Sequence, residues 1–207
     1  MNQAEDDETV PIHPVERTPV ARFLVSGKVE LVADVAAALR DEGAEAVEVG
    51  DVTALTQVCA DAGARAFDGY VQLPAKFTVE GDSAVERVHH YFSAGALGRF
   101  TAVAAVLPSL VPNARITFVT GALPPEVSTQ DEVAARRALV RVLGHAARAD
   151  AADGLRVDVL SPNSSPNEIA LTALGRNPAW EALVSTGTDE SYADWRVEVL
   201  GLMSAEM

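Results

Sequence analysis

Residues 115–163 read RITFVTGALPPEVSTQDEVAARRALVRVLGHAARADAADGLRVDVLSPN and contain one complete structural unit. An apolar run, ITFVT, ends in a loop, a long stretch with helical spacing follows, and a second apolar run, LRVDVL, ends in Ser-Pro-Asn. Strand, helix and strand in this order form a βαβ unit, in which the crossover helix makes the two strands parallel and the right-handed connection places the helix across one face. The stretch therefore predicts strands at about 115–120 and 155–160, with a helix at about 128–149 lying across one face of the sheet.

The same alternation extends in both directions along the chain. It predicts strands at 21–26, 45–49 and 66–73, and helices at about 29–41, 53–62, 83–107 and 167–175. Thr53 is the expected N-cap of the second helix, and Pro74 is expected to end the third strand. A turn is expected at 178–184 and a last helix from Thr188. The pattern predicts an α/β fold: a Rossmann-like, doubly wound parallel sheet of about five to six strands in three α/β/α layers.

The two ends of the chain differ in character. Residues 1–19 carry the acidic run Glu5–Glu8 and several prolines, and predict a disordered acidic tail. Residues 20–207 predict a single domain that ends in the C-terminal helix, because no interior linker rich in glycine, proline or serine divides them.

Composition narrows the classes of partner. The net charge of −14 repels phosphate backbones and anionic membrane surfaces, so we expect no nucleic-acid or membrane partner, while a basic protein partner remains open. The single cysteine, Cys59, falls on the inward face of its helix and is expected in the core. An acidic, polar N-terminus and one cysteine favour a cytoplasmic protein. His89 and His90 are adjacent and diverge by about 100° on a helix, so no metal site is expected.

Several segments resemble the short-chain dehydrogenase/reductase family over residues 21 to about 175. They are FLVSG (23–27), VGDVT (49–53), FDGYVQLPA (67–75), VLPSLVPNARITFVTGA (106–122), ARRALVRVL (135–143) and LRVDVLSPN (155–163). The resemblance implies a fold that holds NAD(P) on a glycine-rich turn after the first strand. It also implies carbonyl chemistry by a serine, a Tyr-x-x-x-Lys pair and an asparagine.

The family's first half is shortened and its cofactor positions are altered in this chain. Only the strand at 45–49 lies where the family has two strands and a helix, so a strand–helix unit is missing. The glycine-rich turn keeps Gly27 and Lys28 but places Glu30 near the expected phosphates. Asp51, roughly 20 residues beyond Gly27, matches a ribose-binding or adenine-contacting acid, or simply caps the next helix. Gln72 opens the segment that replaces the family's Asn-Asn-Ala-Gly.

The catalytic positions are altered as well. The resemblance places Glu132 at the tyrosine position, Arg136 at the lysine position and Thr120 or Ala122 near the serine. Glu132 and Arg136 still share one helix face, but a carboxylate near neutral pH accepts protons and does not replace a tyrosine that donates one. The family's asparagine falls near Gly95, and Tyr91 lies on the helix that borders the family's active site.

These changes predict a degenerate member of the family that binds no cofactor and acts by association. The two long helices at 83–107 and 128–149 would then form a homodimer, or a hetero-oligomer with a reductase-like subunit that this chain supports as a silent subunit. The last helix, with Trp180 and Trp195, would extend that interface. Small residues permit close helix contact at Ala94, Gly95, Gly98, Ala102, Ala134, Ala135 and Ala138. Two alternatives stay open: an oxidoreductase with atypical NAD(P) binding, and a non-redox cyclase or isomerase with Glu132 as base.

Overall fold

The computed structural model describes residues 20–28, 30–75, 80–90, 93, 95, 97–121, 130–151, 154–177, 179 and 181–183. The expected acidic tail at 1–19 and the expected C-terminal helix lie outside the described residues. The strands are β1 (Arg22–Lys28), β2 (Glu45–Val49), β3 (Phe67–Ala75), β4 (Leu110–Val119), β5 (Arg156–Leu160) and β6 (Glu181–Leu183). The helices are α1 (Leu31–Asp41), α2 (Val52–Ala62), α3 (Ala84–His90), α4 (Leu97–Val106), α5 (Gln130–Asp150) and α6 (Pro166–Ala173).

These elements form the predicted doubly wound α/β fold. The sheet has six strands in the order β2-β1-β3-β4-β5-β6, and β1 to β5 are mutually parallel. Helices α1 and α6 cover one face of the sheet, and α2, α4 and α5 cover the other. The order of the strands reverses at β1, which places a topological switch point between β1 and β3.

The shortened first half is visible as an early sheet edge. Within the described residues β2 is the outermost strand on its side, because one strand and no more lies between α1 and Asp51. Arg40 covers this edge: its Nη2 donates to the carbonyl of Ala46 at 2.8 Å and contacts the Glu48 carboxylate at 2.9 Å. A charged side chain bonded to an edge carbonyl blocks pairing with a further strand.

Three strands extend beyond their predicted bounds, among them β4, which begins at Leu110 rather than at about residue 115. β1 continues beyond Ser26 to Lys28, and β3 continues through Pro74 to Ala75. The register shifts here, since Ser26 pairs with Gln72 while Lys28 pairs with Ala75. One extra residue on β3 forms a bulge, and a bulge tolerates a proline because no ladder hydrogen bond requires its missing N–H.

Other local predictions were wrong or incomplete. The N-cap of α2 is Asp51 rather than Thr53, which lies inside the helix. The turn expected at 178–184 contains β6, which pairs antiparallel with β5. The helix expected at 83–107 is described as α3 and α4, with Ser93 and Gly95 between them in π-helical conformation.

Cys59 lies in the core as predicted. It is 5% exposed among the residues of α2, α4 and β3, and burial raises the pKa of its thiol. Among the described helices, none combines the length and the apolar character needed to cross a membrane.

Candidate functional site

The carboxyl ends of β1, β3 and β4 meet at one edge of the sheet, beside the switch point. In open α/β sheets ligands bind in the crevice at this edge. Three of the predicted site residues, Gly27, Gln72 and Thr120, lie at these strand ends, and Asp51 follows the end of β2. The sheet therefore gathers these four residues along one edge.

Strands β1 and β3 remain paired at the switch point, where a crevice would need them to separate. Lys28 pairs with Ala75 beyond the bulge, so the two strands stay together past the point where β1 was expected to end. Gly27 has φ +155°, and a Cβ atom built on it would lie 3.0 Å from the Leu73 Cβ and 3.4 Å from the Leu73 carbonyl oxygen. This glycine is needed for the close approach of β3. The side chain of Lys28 lies outside the described residues.

The N-terminus of α1 is acidic. Its N-cap is Glu30, which makes no side-chain capping bond, and Asp34 lies in the first turn. Carboxylates at a helix N-terminus occupy the position that favours an anion such as a diphosphate. The described residues at the end of β1 and the start of α1 therefore lack the features of the family's diphosphate cradle.

Asp51 has a defined structural role. Its carboxylate accepts a hydrogen bond of 2.8 Å from the Ala54 backbone N–H and caps α2. The side chain is exposed at the end of β2. Of the alternatives open for this residue, the capping contact is the one present in the structure.

Gln72 belongs to a buried polar network that the sequence did not reveal. The Ser26 and Tyr70 hydroxyl oxygens lie 2.6 Å apart, and the Gln72 amide nitrogen donates to the Tyr70 oxygen at 3.2 Å. Arg99 of α4 donates through Nε to the Gln72 amide oxygen at 2.9 Å, and through Nη2 to the Val119 carbonyl at 2.8 Å. Arg99 thus joins the ends of β3 and β4.

A sequence signal for Arg99 existed. It is the one charged residue of α4, LGRFTAVAAV, which is otherwise apolar or small. A lone charge in such a helix indicates a specific buried partner or a ligand. The partners themselves come from β3 and β4, so their identity was not readable from the helix.

The charges in this network are shifted by burial. Burial lowers the pKa of Arg99 to about 10, and Tyr70 opposes this effect. Burial raises the pKa of Tyr70, while its hydrogen bonds to Ser26 and Gln72 and the charge of Arg99 act in the opposite direction. At neutral pH the network therefore contains a cationic guanidinium and a neutral phenol.

Replacing Tyr70 with phenylalanine tests this assignment. We expect a loss of about 1–2 kcal/mol of unfolding free energy near neutral pH, because Ser26 and Gln72 lose a buried partner. The folded-state pKa of Tyr70 lies above its unfolded value, so its contribution is complete below about pH 10 and is lost as the pH rises through the folded-state value. The gap between wild type and variant should therefore narrow above about pH 10 in urea unfolding experiments.

Ser26→Ala is the matched control for this substitution. It removes the same hydrogen bond and keeps the phenol, so it should lose stability near neutral pH but retain the alkaline decline of the wild type. Parallel stability profiles for Tyr70→Phe and the wild type would contradict the assignment.

Of the predicted catalytic residues, Thr120 is the one whose side chain the structure describes. The Thr120 hydroxyl is buried and donates to the Leu160 carbonyl at 3.2 Å, so it joins the ends of β4 and β5. Glu132 and Arg136 lie in the first two turns of α5, and their side chains, like Tyr91 and Ala122, lie outside the described residues. No described group of histidine, cysteine and carboxylate side chains could hold a metal ion.

The predicted small-residue contact surface is divided between core and surface. Ala102 is 4% exposed and packs inside the domain, so its assignment to an intermolecular surface was wrong. Ala138 of α5 is exposed, and on α4 the outward residues are Leu97, Thr101 and Ala104. These outward residues repeat at helical spacing and form one face of α4.

Several solved structures share this architecture. A small-chain dehydrogenase is 20% identical with a TM-score of 0.57, over 76% of this chain and 89% of that one. The protein lin1944 from Listeria innocua is 19% identical with a TM-score of 0.54, over 88% and 92% of the two chains. BdcA from E. coli in complex with NADPH is 14% identical with a TM-score of 0.51, over 78% and 88%.

These similarities establish the class of fold. The chain has the Rossmann-like fold of short-chain dehydrogenases, with five parallel strands and flanking helices, which confirms the resemblance at the level of the fold. No protein-family model and no curated protein matches the sequence.

Proposed function

We propose that this chain is a short-chain-dehydrogenase-like protein that has lost NAD(P)-dependent redox catalysis and acts as a non-catalytic subunit or scaffold. The observation that carries the proposal is the pairing of Lys28 with Ala75, which keeps β1 and β3 together at the switch point. A dinucleotide in this fold lies in the crevice at that point, over glycines that let the backbone approach the diphosphate. Here the space beside Gly27 is taken by Leu73, whose Cβ atom would lie 3.0 Å from a Cβ atom built on Gly27.

The electrostatics of the same edge support the proposal. Glu30 and Asp34 lie at the start of α1, where the helix N-terminus would otherwise attract a diphosphate. The Asp51 carboxylate accepts a hydrogen bond from the Ala54 backbone N–H and caps α2. The net charge of −14 adds a repulsion that acts on any multiply charged anion approaching from solvent.

The proposed activity of the chain is association with another chain through α4 and α5. Leu97 is 57% exposed on α4, and Thr101 and Ala104 continue its outward face. On α5, Ala138 is also small and exposed. An exposed leucine among small residues suits a close helix contact with an identical chain or with a reductase-like subunit.

Calorimetric titration with NADPH and NADH tests the loss of cofactor binding. We expect no saturable heat up to about 1 mM, which corresponds to a binding free energy weaker than about −4 kcal/mol. BdcA is the positive control, because it has been crystallised with NADPH. A dissociation constant below about 100 µM for either nucleotide would overturn this part of the proposal.

Light scattering tests association. We expect a mass above that of one 21.8 kDa chain, and Leu97→Glu should reduce it. Val85→Glu is the matched control, since Val85 is 79% exposed and belongs to α3 rather than to α4 or α5. A monomeric wild type would exclude the homo-oligomer and leave only the hetero-oligomer, whose test is co-purification of a reductase-like chain.

The second candidate is a protein that binds NADPH in an atypical way. The similarity to BdcA in complex with NADPH favours it, because that structure covers most of this chain. Saturable binding in the titration would select this candidate over the first.

A further inference from the structure

Arg99 carries a charge that the described protein does not neutralise. Its side chain is partly buried, and no described carboxylate forms an ion pair with it. The contrast is with the arginines that do pair with a carboxylate: Arg22 with Glu45, Arg40 with Glu48, Arg115 with Asp158 and Arg176 with Glu42. A cation removed from water without a counter-charge is costly, so its presence needs a reason.

The donors of Arg99 are not all used. Nε donates to the Gln72 amide oxygen, and Nη2 donates to the Val119 carbonyl at 2.8 Å and the Gln72 carbonyl at 3.4 Å. These acceptors fix the guanidinium between β3 and β4. The two N–H groups of Nη1 have no acceptor within the described parts of the chain, and a guanidinium offers them in a rigid plane.

The rest of the network also offers donors. Because Arg99 donates to the Gln72 amide oxygen, the amide nitrogen is the group that faces Tyr70 and the Arg99 carbonyl. The Tyr70 oxygen accepts this bond and can give its own hydrogen to Ser26 Oγ at 2.6 Å. The Ser26 hydrogen is then without a described acceptor, so the cluster contains one positive charge and one unused hydroxyl donor.

We propose that the carboxyl edge between β3 and β4 binds a small oxyanion, a carboxylate or a phosphate, through Nη1 of Arg99. The anion supplies the missing counter-charge, and a charge-assisted hydrogen bond to a fixed guanidinium gives it a defined orientation. The place is distinct from the start of α1, where Glu30 and Asp34 repel anions. The proposal goes beyond the loss of redox catalysis, because a non-catalytic subunit can still hold a ligand here.

Thermal unfolding in phosphate and in acetate tests the site. Sodium phosphate and sodium acetate are titrated separately at an ionic strength held constant with sodium chloride, because phosphate also stabilises proteins in general by exclusion from their surface. We expect a saturable rise in the melting temperature of the wild type with at least one of the two anions. Arg99→Met should abolish the saturable component, and Arg99→Lys should weaken the affinity by about tenfold, since lysine lacks the planar fork.

Two further measurements keep the test decisive. Arg176→Met is the matched control, because Arg176 is an exposed arginine paired with Glu42 and should leave the saturable rise unchanged. If Arg99→Met does not fold, the ¹⁵Nε resonance of Arg99 in the wild type, assigned with the lysine variant, should shift on addition of the anion. A rise that is linear in anion concentration, or equal in wild type and Arg99→Met, would overturn the proposal, as would an unmoved Arg99 resonance.

Discussion

Arg115→Met is expected to destabilise the domain by about 3–5 kcal/mol. Arg115 and Asp158 form an ion pair between neighbouring strands β4 and β5, and their side chains are only 18% and 6% exposed. Removing the guanidinium leaves the carboxylate buried without a counter-charge. The expected result is a lower urea midpoint with an unchanged dependence on denaturant concentration.

A double substitution separates the cost of the broken pair from the value of the pair itself. Arg115→Met combined with Asp158→Val should recover most of the lost stability, because apolar residues of suitable shape often replace a buried pair at little cost. Arg176→Met removes an exposed pair with Glu42 and should cost less than about 1 kcal/mol. A double variant as unstable as Arg115→Met would show that the pair is favourable in itself.

Gly69→Ala is the second substitution with a large expected effect, a loss of about 3 kcal/mol. A Cβ atom at Gly69 would overlap the Phe23 ring, with 2.7 Å to its Cδ1, and would lie 2.9 Å from the Arg115 carbonyl oxygen. Gly69 is in β3, and its registered neighbours are Phe23 of β1 and Arg115 of β4. Strands on both sides prevent β3 from moving away, so strain cannot be relieved locally.

Gly98→Ala is the control for this effect. Gly98 lies in α4, and a Cβ atom there meets nothing within 4 Å. Alanine should stabilise that helix by up to about 1 kcal/mol, since it has the higher helix propensity. Equal urea midpoints for the two variants would show that the Phe23 contact does not constrain β3.

The fold was readable from sequence because its signals are local. Apolar runs such as LRVDVL and the helical spacing of α5 specify their own elements, and the right-handed crossover rule limits how parallel strands can be connected. β6 was missed because three residues carry no periodic pattern, and its strand conformation depends on pairing with β5. The extension of β3 through Pro74 was missed for a similar reason, since the bulge that accommodates it exists only opposite β1.

The candidate site was less readable. Gly27, Asp51 and Gln72 were chosen by their positions in the family resemblance, and in the structure they lie toward the carboxyl edge of the sheet. Their contacts were not predictable, because Gln72 meets Arg99 across 27 residues of sequence. Whether Glu132 and Arg136 have any catalytic part stays a prediction, because their side chains lie outside the described residues.

The sequence by itself determined the class of fold, the single strand between the first two helices and the single glycine, Gly27, at the junction of β1 and α1. These follow from the order and spacing of residues along the chain. Only the tertiary structure decided that β1 and β3 stay paired to Lys28 and Ala75, that Gly27 lies close to Leu73, and that the partly buried Arg99 has no described carboxylate partner. The physical reason is that these features are contacts between elements distant in sequence, and packing rather than local pattern selects them.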